Sequence, residues 1–393
     1  MDLDVVIVGA GPAGTAAAYP LAAGGARVLL LDRHSFPRLK PCAGGLTIKA
    51  LNLLPYSIAP VLQRSATGMT IGLRSPKGEL TDYLTKGEHI CTFAVRSEFD
   101  SFNFKQAMAQ GADFDTVKSI TSIGETDRGV AIEADGRTIT AGYLIGADGA
   151  NSVVRRLAGP QNFFSRGFAL EGLVPYASIG DEPKAELFFG IVENGYGWLF
   201  PKGDHVNVGL YTKDDRVTLS KSALRTYAQE RLGTGDVDHI VGYPLGFGGD
   251  AYRAQSKRIM LIGDAAGMAE PLIGEGLHNA IKTGQAAAQA ILSRGSGEAT
   301  GQSSAEDFSS RIEPVAKDVR RCRRLARMFY ANLAGLGGAG LRFPVTRAAL
   351  LNGFAAGQTM HQITNRFLWS ALYPSSMPPS LAEFLESDQR LTA

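Results

Sequence analysis

Gly9-Ala10-Gly11-Pro12-Ala13-Gly14 follows the apolar run Asp4 to Val8 and precedes an alanine-rich stretch, a second apolar run from Arg27 to Leu31, and the acid Asp32. These residue types at this spacing suit the binding of a pyrophosphate and a ribose. Gly9 permits a tight turn, Gly11 lets backbone approach the pyrophosphate, and Gly14 lets a helix pack on a strand. The helix N-terminus adds N–H donors and the positive end of its dipole. Asp32, eighteen residues beyond Gly14, is placed to accept from a ribose hydroxyl. A second copy of the glycine pattern, Gly335 to Gly340, follows an Arg-rich helical segment instead of a strand and lacks the later acid, so it reads as a turn ending a helix.

Two later segments extend the site. Thr138 to Ile145 is strand-like and ends in Gly146-Ala147-Asp148-Gly149-Ala150-Asn151-Ser152, and Arg258 to Ile262 is another buried-strand run ending in Gly263-Asp264. Pro271-Leu272-Ile273-Gly274-Glu275-Gly276 then leads into a small-residue helix from Leu277 to about Leu292. A nicotinamide dinucleotide has no use for a glycine-flanked carboxylate more than two hundred residues from the first turn. FAD does, because its ribityl chain and second phosphate continue across the sheet.

The elements that must hold these residues alternate strand and helix at first, then change character. Apolar runs buried on both faces mark a parallel sheet. Phe168 to Tyr176, Ala185 to Ile191 and His205 to Tyr211 are separated by turn residues and suggest an antiparallel one. The expected fold is therefore α/β: a Rossmann-type FAD-binding domain with an inserted antiparallel β-sheet substrate domain and a C-terminal helical region. The expected boundaries are 1–55, 90–158 and 256–295 for a discontinuous FAD-binding domain, 56–89 and 159–255 for the substrate-binding cap, and 296–393 for the helices.

Composition bounds the function. The balance of 40 basic and 38 acidic side chains in 393 residues argues against a polycationic nucleic-acid binder. Glycine, 47 residues, is in excess of its ordinary share, as expected where backbone approaches a ligand. Cys42, Cys91 and Cys322 form no CxxC pair and no zinc-spaced cluster, so neither a disulfide scaffold nor a metal site is expected and a reducing, cytoplasmic setting is the natural one. The N-terminal run reads as a strand and not a signal peptide, and no uninterrupted apolar run has the length of a spanning helix.

The N-terminal fingerprint, the Gly146 to Ser152 segment and Ile262-Gly263-Asp264-Ala265-Ala266-Gly267 together resemble, in order and spacing, the flavoprotein fold of p-hydroxybenzoate hydroxylase-type enzymes. Pro37-Arg38-Leu39-Lys40-Pro41-Cys42-Ala43-Gly44-Gly45-Leu46 resembles the P-x-x-K-x-C-G-G type segment of the geranylgeranyl reductase family. Gly195-Tyr196-Gly197-Trp198-Leu199-Phe200-Pro201-Lys202 resembles its Y-x-W-x-F-P segment. The resemblance implies that Gly9, Gly11, Pro12, Ala13 and Gly14 cradle the FAD pyrophosphate and that Asp32, with Arg33 beside it, holds the adenosine ribose. It places Cys42, Ala43, Gly44 and Gly45 against the flavin, Arg96 on the diphosphate, and Val117, opening a strand after Gly111-Ala112-Asp113, near adenine. Gly263 and Asp264 would meet the ribityl hydroxyls, and the helix start at Gly274, Gly276 and Leu277 would point its dipole at the flavin pyrimidine edge. Ala43 stands where the family commonly has glycine, which narrows the flavin face.

The reaction implied is saturation of carbon–carbon double bonds in an isoprenoid, geranylgeranyl-like chain by flavin hydride transfer, with an isoprenoid or lipid as substrate. An isolated alkene offers hydride no electron sink, so a proton must reach the other carbon in a dry, close-fitting pocket. Cys42 is the candidate acid, relay or gate; a small apolar spacer beside the ring also accounts for it. His278 is either a second flavin-facing group or an ordinary polar residue at a helix start. Tyr196, Trp198 and Phe200 share one face of a strand, as a substrate-channel wall or as a plug of the sheet interior. Flavin-dependent monooxygenases and halogenases acting on aromatic substrates carry the same FAD motifs and remain the alternative, although halogenases have a Trp-x-Trp-type segment where this chain has Tyr196.

No motif identifies the electron donor, NAD(P)H or a ferredoxin-like protein. Ser293 to Ser310 reads as a connector, after which Lys317, Arg320, Arg321, Arg324 and Arg327 form a basic helical face. That face is a solvated or internally paired surface, a peripheral membrane contact, or a dock for an acidic donor. Phe343, Leu350, Leu351, Phe354 and Trp369 are expected on helices packing over a tunnel mouth.

Overall fold

Val5, Val6 and Ile7 are fully buried because the strand Leu3–Val8 lies inside a sheet, pairing in parallel with Val28–Asp32 on one side and Arg137–Gly146 on the other. The structure, a computed structural model, describes residues 3–76, 78–85, 89–160, 162–254, 256–295, 303–333, 335, 341 and 343–365. The sheet runs in the order Asp113–Thr116, Val28–Asp32, Leu3–Val8, Arg137–Gly146, Gly129–Ala134, Ile120–Thr126, and Ile259–Leu261 pairs in parallel with Arg137–Gly146. The carboxyl ends of the parallel strands thus deliver Gly9, Asp32, Ala147 and, one turn on, Asp264 to one edge, where open α/β sheets bind their ligands. Val117 does not open a strand. It follows Asp113–Thr116, whose parallel register sets Thr116 beside Asp32, and donates its N–H to the Asp32 carbonyl at 2.8 Å.

Among the helices packed on this sheet are Pro12–Ala23, Arg96–Ala109 and Leu277–Gly295, and the first and last of these lie against each other. They meet through small residues: a Cβ at Gly284 would come within 2.4 Å of the Ala13 carbonyl oxygen, and Ala17, Ala18, Ala287 and Ala288 are fully buried. The alanine-rich stretch after the fingerprint therefore serves close helix packing.

The second sheet has the order Asp238–Phe247, Ser165–Pro175, His205–Thr212, Gly195–Pro201, Glu186–Phe189, Gly68–Ser75, Gly78–Thr85. It is antiparallel except at one junction, where Glu186–Phe189 pairs in parallel with Gly68–Ser75. That junction joins an early hairpin of the chain to the later strands. A small third sheet, Gly45–Thr47, Cys91–Ala94 and Leu62–Ala66, lies beside the Cys42 loop.

The connector after Ser293 is shorter than its composition suggests. Leu277–Gly295 already contains its first residues, and a 28-residue helix, Ser304–Ala331, contains its last. Ser303 and Glu306 form the capping box that starts this helix, with the Glu306 carboxylate accepting the Ser303 N–H at 2.7 Å. Phe308, Ile312, Val315 and Val319 join the core of the first sheet, whereas Ala326 and Tyr330 join the core of the second.

The basic face divides in two. Arg320 reaches Asp250 and Glu313, and Arg321 donates to Asn365 at 2.8 Å, while Lys317, Arg324 and Arg327 are exposed. Helix Pro344–Ala355 follows, with Leu350 and Leu351 packed inward and Phe343 exposed. Trp369 and the segment Leu336 to Gly340 lie outside the described residues. Among the described residues no helix is long and apolar enough to cross a membrane.

Candidate functional site

Residues at the carboxyl edge of the parallel sheet and residues of the second sheet together line a cavity of ≈ 890 Å³. Gly9, Gly11, Pro12, Ala13, Asp32, Arg33 and Val117 line it where the fingerprint lies. Cys42, Ala43, Gly44, Gly45, Arg96, Asp264, Gly274, Gly276 and Leu277 line its middle, and Tyr196, Trp198 and Phe200 a wall beyond them. Leu325, Phe329, Leu350, Leu351 and Phe354 complete the far end. Gly14 and Gly263 do not line it. A Cβ at Gly14 would fall 1.8 Å from the Gly9 carbonyl oxygen, and one at Gly263 3.0 Å from the Ala13 side chain, so both serve packing. His278 is also absent from the lining; its Nδ1 lies 2.9 Å from Asn279, with Lys49 and Glu275 as charged neighbours.

At the fingerprint the backbone turns tightly against the end of strand Arg137–Gly146. Gly9 adopts φ of 103°, where a Cβ would lie 2.3 Å from the Ala147 carbonyl oxygen. The Ala10 N–H donates to Asp32 at 2.9 Å, which fixes the carboxylate at the turn. Helix Pro12–Ala23 has Gly11 at its start and no side-chain cap. Arg38, which sequence reasoning passed over, stands above Gly11 with its Nε 3.7 Å from Asp32 and its Nη2 3.4 Å from Asp100; the buried Nε faces a charge but makes no hydrogen bond. An uncapped helix start and a buried guanidinium with a nitrogen free of hydrogen bonds fit a pyrophosphate-bearing dinucleotide. Arg96 is engaged differently from the expectation: its Nε and Nη2 both donate to Asp100 at 2.8 Å, and it also faces the Cys42 sulfur.

In the middle, Cys42 sits within a polar shell. Its N–H donates to Glu171 at 2.8 Å, and its sulfur accepts the Gly44 N–H at 3.4 Å. Lys202 Nζ donates to the carbonyls of Ala43 and Ala94 at 2.6 and 2.9 Å. Burial lowers the Lys202 ammonium to about 8 and pushes the Glu171 carboxyl up. Lys40, 3.0 Å from the centroid of the Tyr243 ring, is also lowered to about 8 by burial and by the neighbouring Arg96. Sequence reasoning assigned no role to Glu171, Lys202 or Lys40. The available signal was a lone acid inside the apolar run Ala169-Leu170-Glu171-Gly172-Leu173 and a lysine closing an aromatic strand.

The turn from Glu270 to Glu275 is held from every side. Tyr211, Tyr330 and Tyr196 donate their hydroxyls to the successive carbonyls of Pro271, Leu272 and Ile273, at 3.0, 2.6 and 2.5 Å. The Glu270 carboxylate accepts the N–H groups of Leu272, Ile273 and Glu275, and burial pushes its carboxyl up to about 6. Glu275 pairs with Lys49 at 2.6 Å and accepts from Thr47 at 2.5 Å. Trp198 Nε1 donates to Asn207 at 2.7 Å. Because the polar atoms of Tyr196 and Trp198 are bonded to protein, what these residues offer the cavity is ring surface.

Residues 2–171 match the family model described as FAD binding domain. The chain is 37% identical over 293 residues to an uncharacterized protein of Methanosarcina barkeri, covering 74% of each chain. It is 31% identical over 318 residues to digeranylgeranylglycerophospholipid reductase 1 of Methanothermobacter thermautotrophicus, covering 73% of this chain and 76% of that one. The crystal structure of a geranylgeranyl bacteriochlorophyll reductase-like protein from Thermoplasma acidophilum superposes with a TM-score of 0.72 at 22% identity, covering 98% of each chain, and so shares the fold. The cofactor is FAD, and the chain belongs to the geranylgeranyl reductase family of FAD-dependent oxidoreductases.

Proposed function

We propose that this flavoenzyme saturates carbon–carbon double bonds of an isoprenoid chain. The observation that carries the reading is continuity: the cavity that begins at the dinucleotide fingerprint runs on, past Cys42, between Tyr196, Trp198 and Phe200 and the apolar side chains of the last helices. A monooxygenase or halogenase of an aromatic substrate has no need of so long an apolar extension. The relative named as a digeranylgeranylglycerophospholipid reductase supports the same substrate class.

In this reading Gly9, Gly11, Pro12 and Ala13 hold the pyrophosphate of FAD, with the Arg38 guanidinium, whose Nη2 stands over Gly11, a closer fit to the diphosphate than Arg96, whose Nε and Nη2 are taken by Asp100. Asp32 and Arg33 hold the adenosine ribose, Val117 the adenine, and Asp264 the ribityl hydroxyls. Cys42 to Gly45 and Gly274 to Leu277 hold the flavin. Reduced FAD bound there supplies the hydride. The ring faces of Tyr196, Trp198 and Phe200 lay the alkene down in a space without water, and tight orientation of the two partners lowers the barrier. Cys42 Sγ, at the border of polar and apolar surfaces, delivers the proton to the carbon that hydride does not reach.

The far end of the cavity opens at the surface. Met328 lines it while being 71% exposed. Arg324 and Arg327 are exposed on the same helix, within one turn of Met328, and Lys317 lies further back along that helix. Basic side chains around an apolar mouth suit an anionic lipid surface, to which each contributes about 1 kcal/mol.

The test is anaerobic. Chemically reduced, FAD-loaded protein is incubated with a polyprenyl diphosphate or a polyprenyl lipid, and the products are weighed by mass spectrometry. A gain of two hydrogens per bond supports the reading, and unaltered substrate overturns it.

A further inference from the structure

Glu171 and Lys202 are 9% and 2% exposed, carry opposite charges, and belong to the second sheet, in strand Ser165–Pro175 and just after strand Gly195–Pro201. Between them they grip one loop of the first half of the chain. Glu171 accepts the Cys42 N–H at 2.8 Å, and Lys202 donates to the carbonyl of the next residue, Ala43, at 2.6 Å. The second Lys202 bond, 2.9 Å to the Ala94 carbonyl, anchors this grip to strand Cys91–Ala94. Gly44 is required by the same arrangement: at its φ of 66° a Cβ would lie 2.7 Å from Lys202 Nζ and 2.1 Å from the Ala94 oxygen. Glu171 is itself held by the Asn207 side chain, which accepts the Trp198 indole N–H at 2.7 Å. A continuous hydrogen-bonded path thus runs from the apolar wall to the Cys42 backbone.

Stability alone does not call for these charges. Apolar residues of similar volume generally serve a core as well as a buried ionic group does. What a carboxylate and an ammonium add is direction, because each fixes the orientation of a peptide group. We propose that Glu171 and Lys202 are positioning residues that lock the Cys42 to Gly44 backbone, and with it the thiol, where the cofactor end of the cavity meets the apolar channel. The effect expected on turnover rests on the role read for Cys42; the effect expected on the loop does not.

Hydrogen exchange of the FAD-loaded protein, followed by mass spectrometry on the peptide spanning residues 40–46, tests the lock. In the wild type this segment is protected like the sheet beside it. Lys202→Met and Glu171→Ala speed its exchange about tenfold or more while distant sheet peptides are unchanged. Glu171→Gln keeps an acceptor oxygen and restores protection. In the two disruptive variants kcat falls with KM nearly constant, and Glu171→Gln retains most of the wild-type kcat. Exchange of the wild-type segment at the rate of an exposed loop overturns the proposal without recourse to any variant, as does unchanged exchange in both disruptive variants. Faster exchange with unaltered kcat supports the lock and removes Cys42 from the chemistry.

Discussion

The Tyr196 hydroxyl donates to the carbonyl of Ile273, 77 residues away, at 2.5 Å, so the aromatic wall of the channel and the turn that ends at Gly274 are tied into one unit. Phe in place of Tyr196 removes this tie and leaves a carbonyl short of a donor. The expected cost is about 1 to 2 kcal/mol in unfolding free energy. Because the freed turn lines the cavity in which FAD is proposed to lie, Tyr196→Phe should also release FAD faster; equal stability and equal flavin retention would show that the tie is incidental.

Gly209 sits beneath the Trp198 indole on the neighbouring strand, and a Cβ there would lie 1.9 Å from Trp198 Cζ2. Gly209→Ala must therefore displace the indole, at about 1 to 3 kcal/mol. FAD content should stay constant while KM for a long prenyl substrate rises. If KM does not move, Trp198 plugs the sheet and does not wall the channel.

Burial raises the Glu270 carboxyl from 4.5 to about 6. The folded protein therefore binds the extra proton more tightly than the unfolded chain. Its contribution to stability is complete below pH 4.5 and is lost as pH rises through about 6, a change on the order of 2 kcal/mol. Urea unfolding of wild type and Glu270→Gln across that range should show a steeper decline in the wild type, by about that amount, since other raised carboxyls such as Glu171 titrate in both; parallel profiles would contradict the assignment.

Exposed Arg324 and Arg327 beside Met328 predict binding to vesicles containing anionic phosphatidylglycerol and not to neutral phosphatidylcholine vesicles. Reversing both charges with Arg324→Glu and Arg327→Glu should abolish flotation with anionic vesicles and leave FAD content untouched. Equal flotation of the double variant would place the lipid contact elsewhere.

Local spacing makes the strand–turn–helix order of the fingerprint, the strand ends that carry Asp32 and lead to Asp264, and the aromatic strand legible from sequence, because turns, helix starts and strand alternation are set by near neighbours. The links that organise the site are long-range: Cys42 to Glu171 spans 129 residues, Ala43 to Lys202 159, and Thr47 to Glu275 228. No local pattern encodes them, since they arise only when two sheets face each other. Arg38 and Arg96 illustrate the same limit. Both lie near the expected diphosphate, but Asp100, at helical spacing from Arg96, takes both ends of that fork and leaves Arg38 the unsatisfied nitrogen. Val117 falls just past a strand and does not open one, because Asp113–Thr116 ends where its partner strand ends at Asp32. The start of the long helix at Ser304 was, by contrast, readable: Ser303 and Glu306 have capping-box spacing, hidden within a Gly/Ser-rich stretch.

The most direct test of the account is the rate at which reduced flavin in the intact protein is reoxidised, without oxygen, on mixing with a polyprenyl substrate, followed by the return of flavin absorbance. The account predicts reoxidation coupled to saturation of the chain, slowed about a hundredfold in Cys42→Ala with FAD still bound, within the 10²–10⁴ range for loss of a general acid. Flavin that stays reduced with every polyprenyl lipid and diphosphate, and is reoxidised only by oxygen, would contradict it.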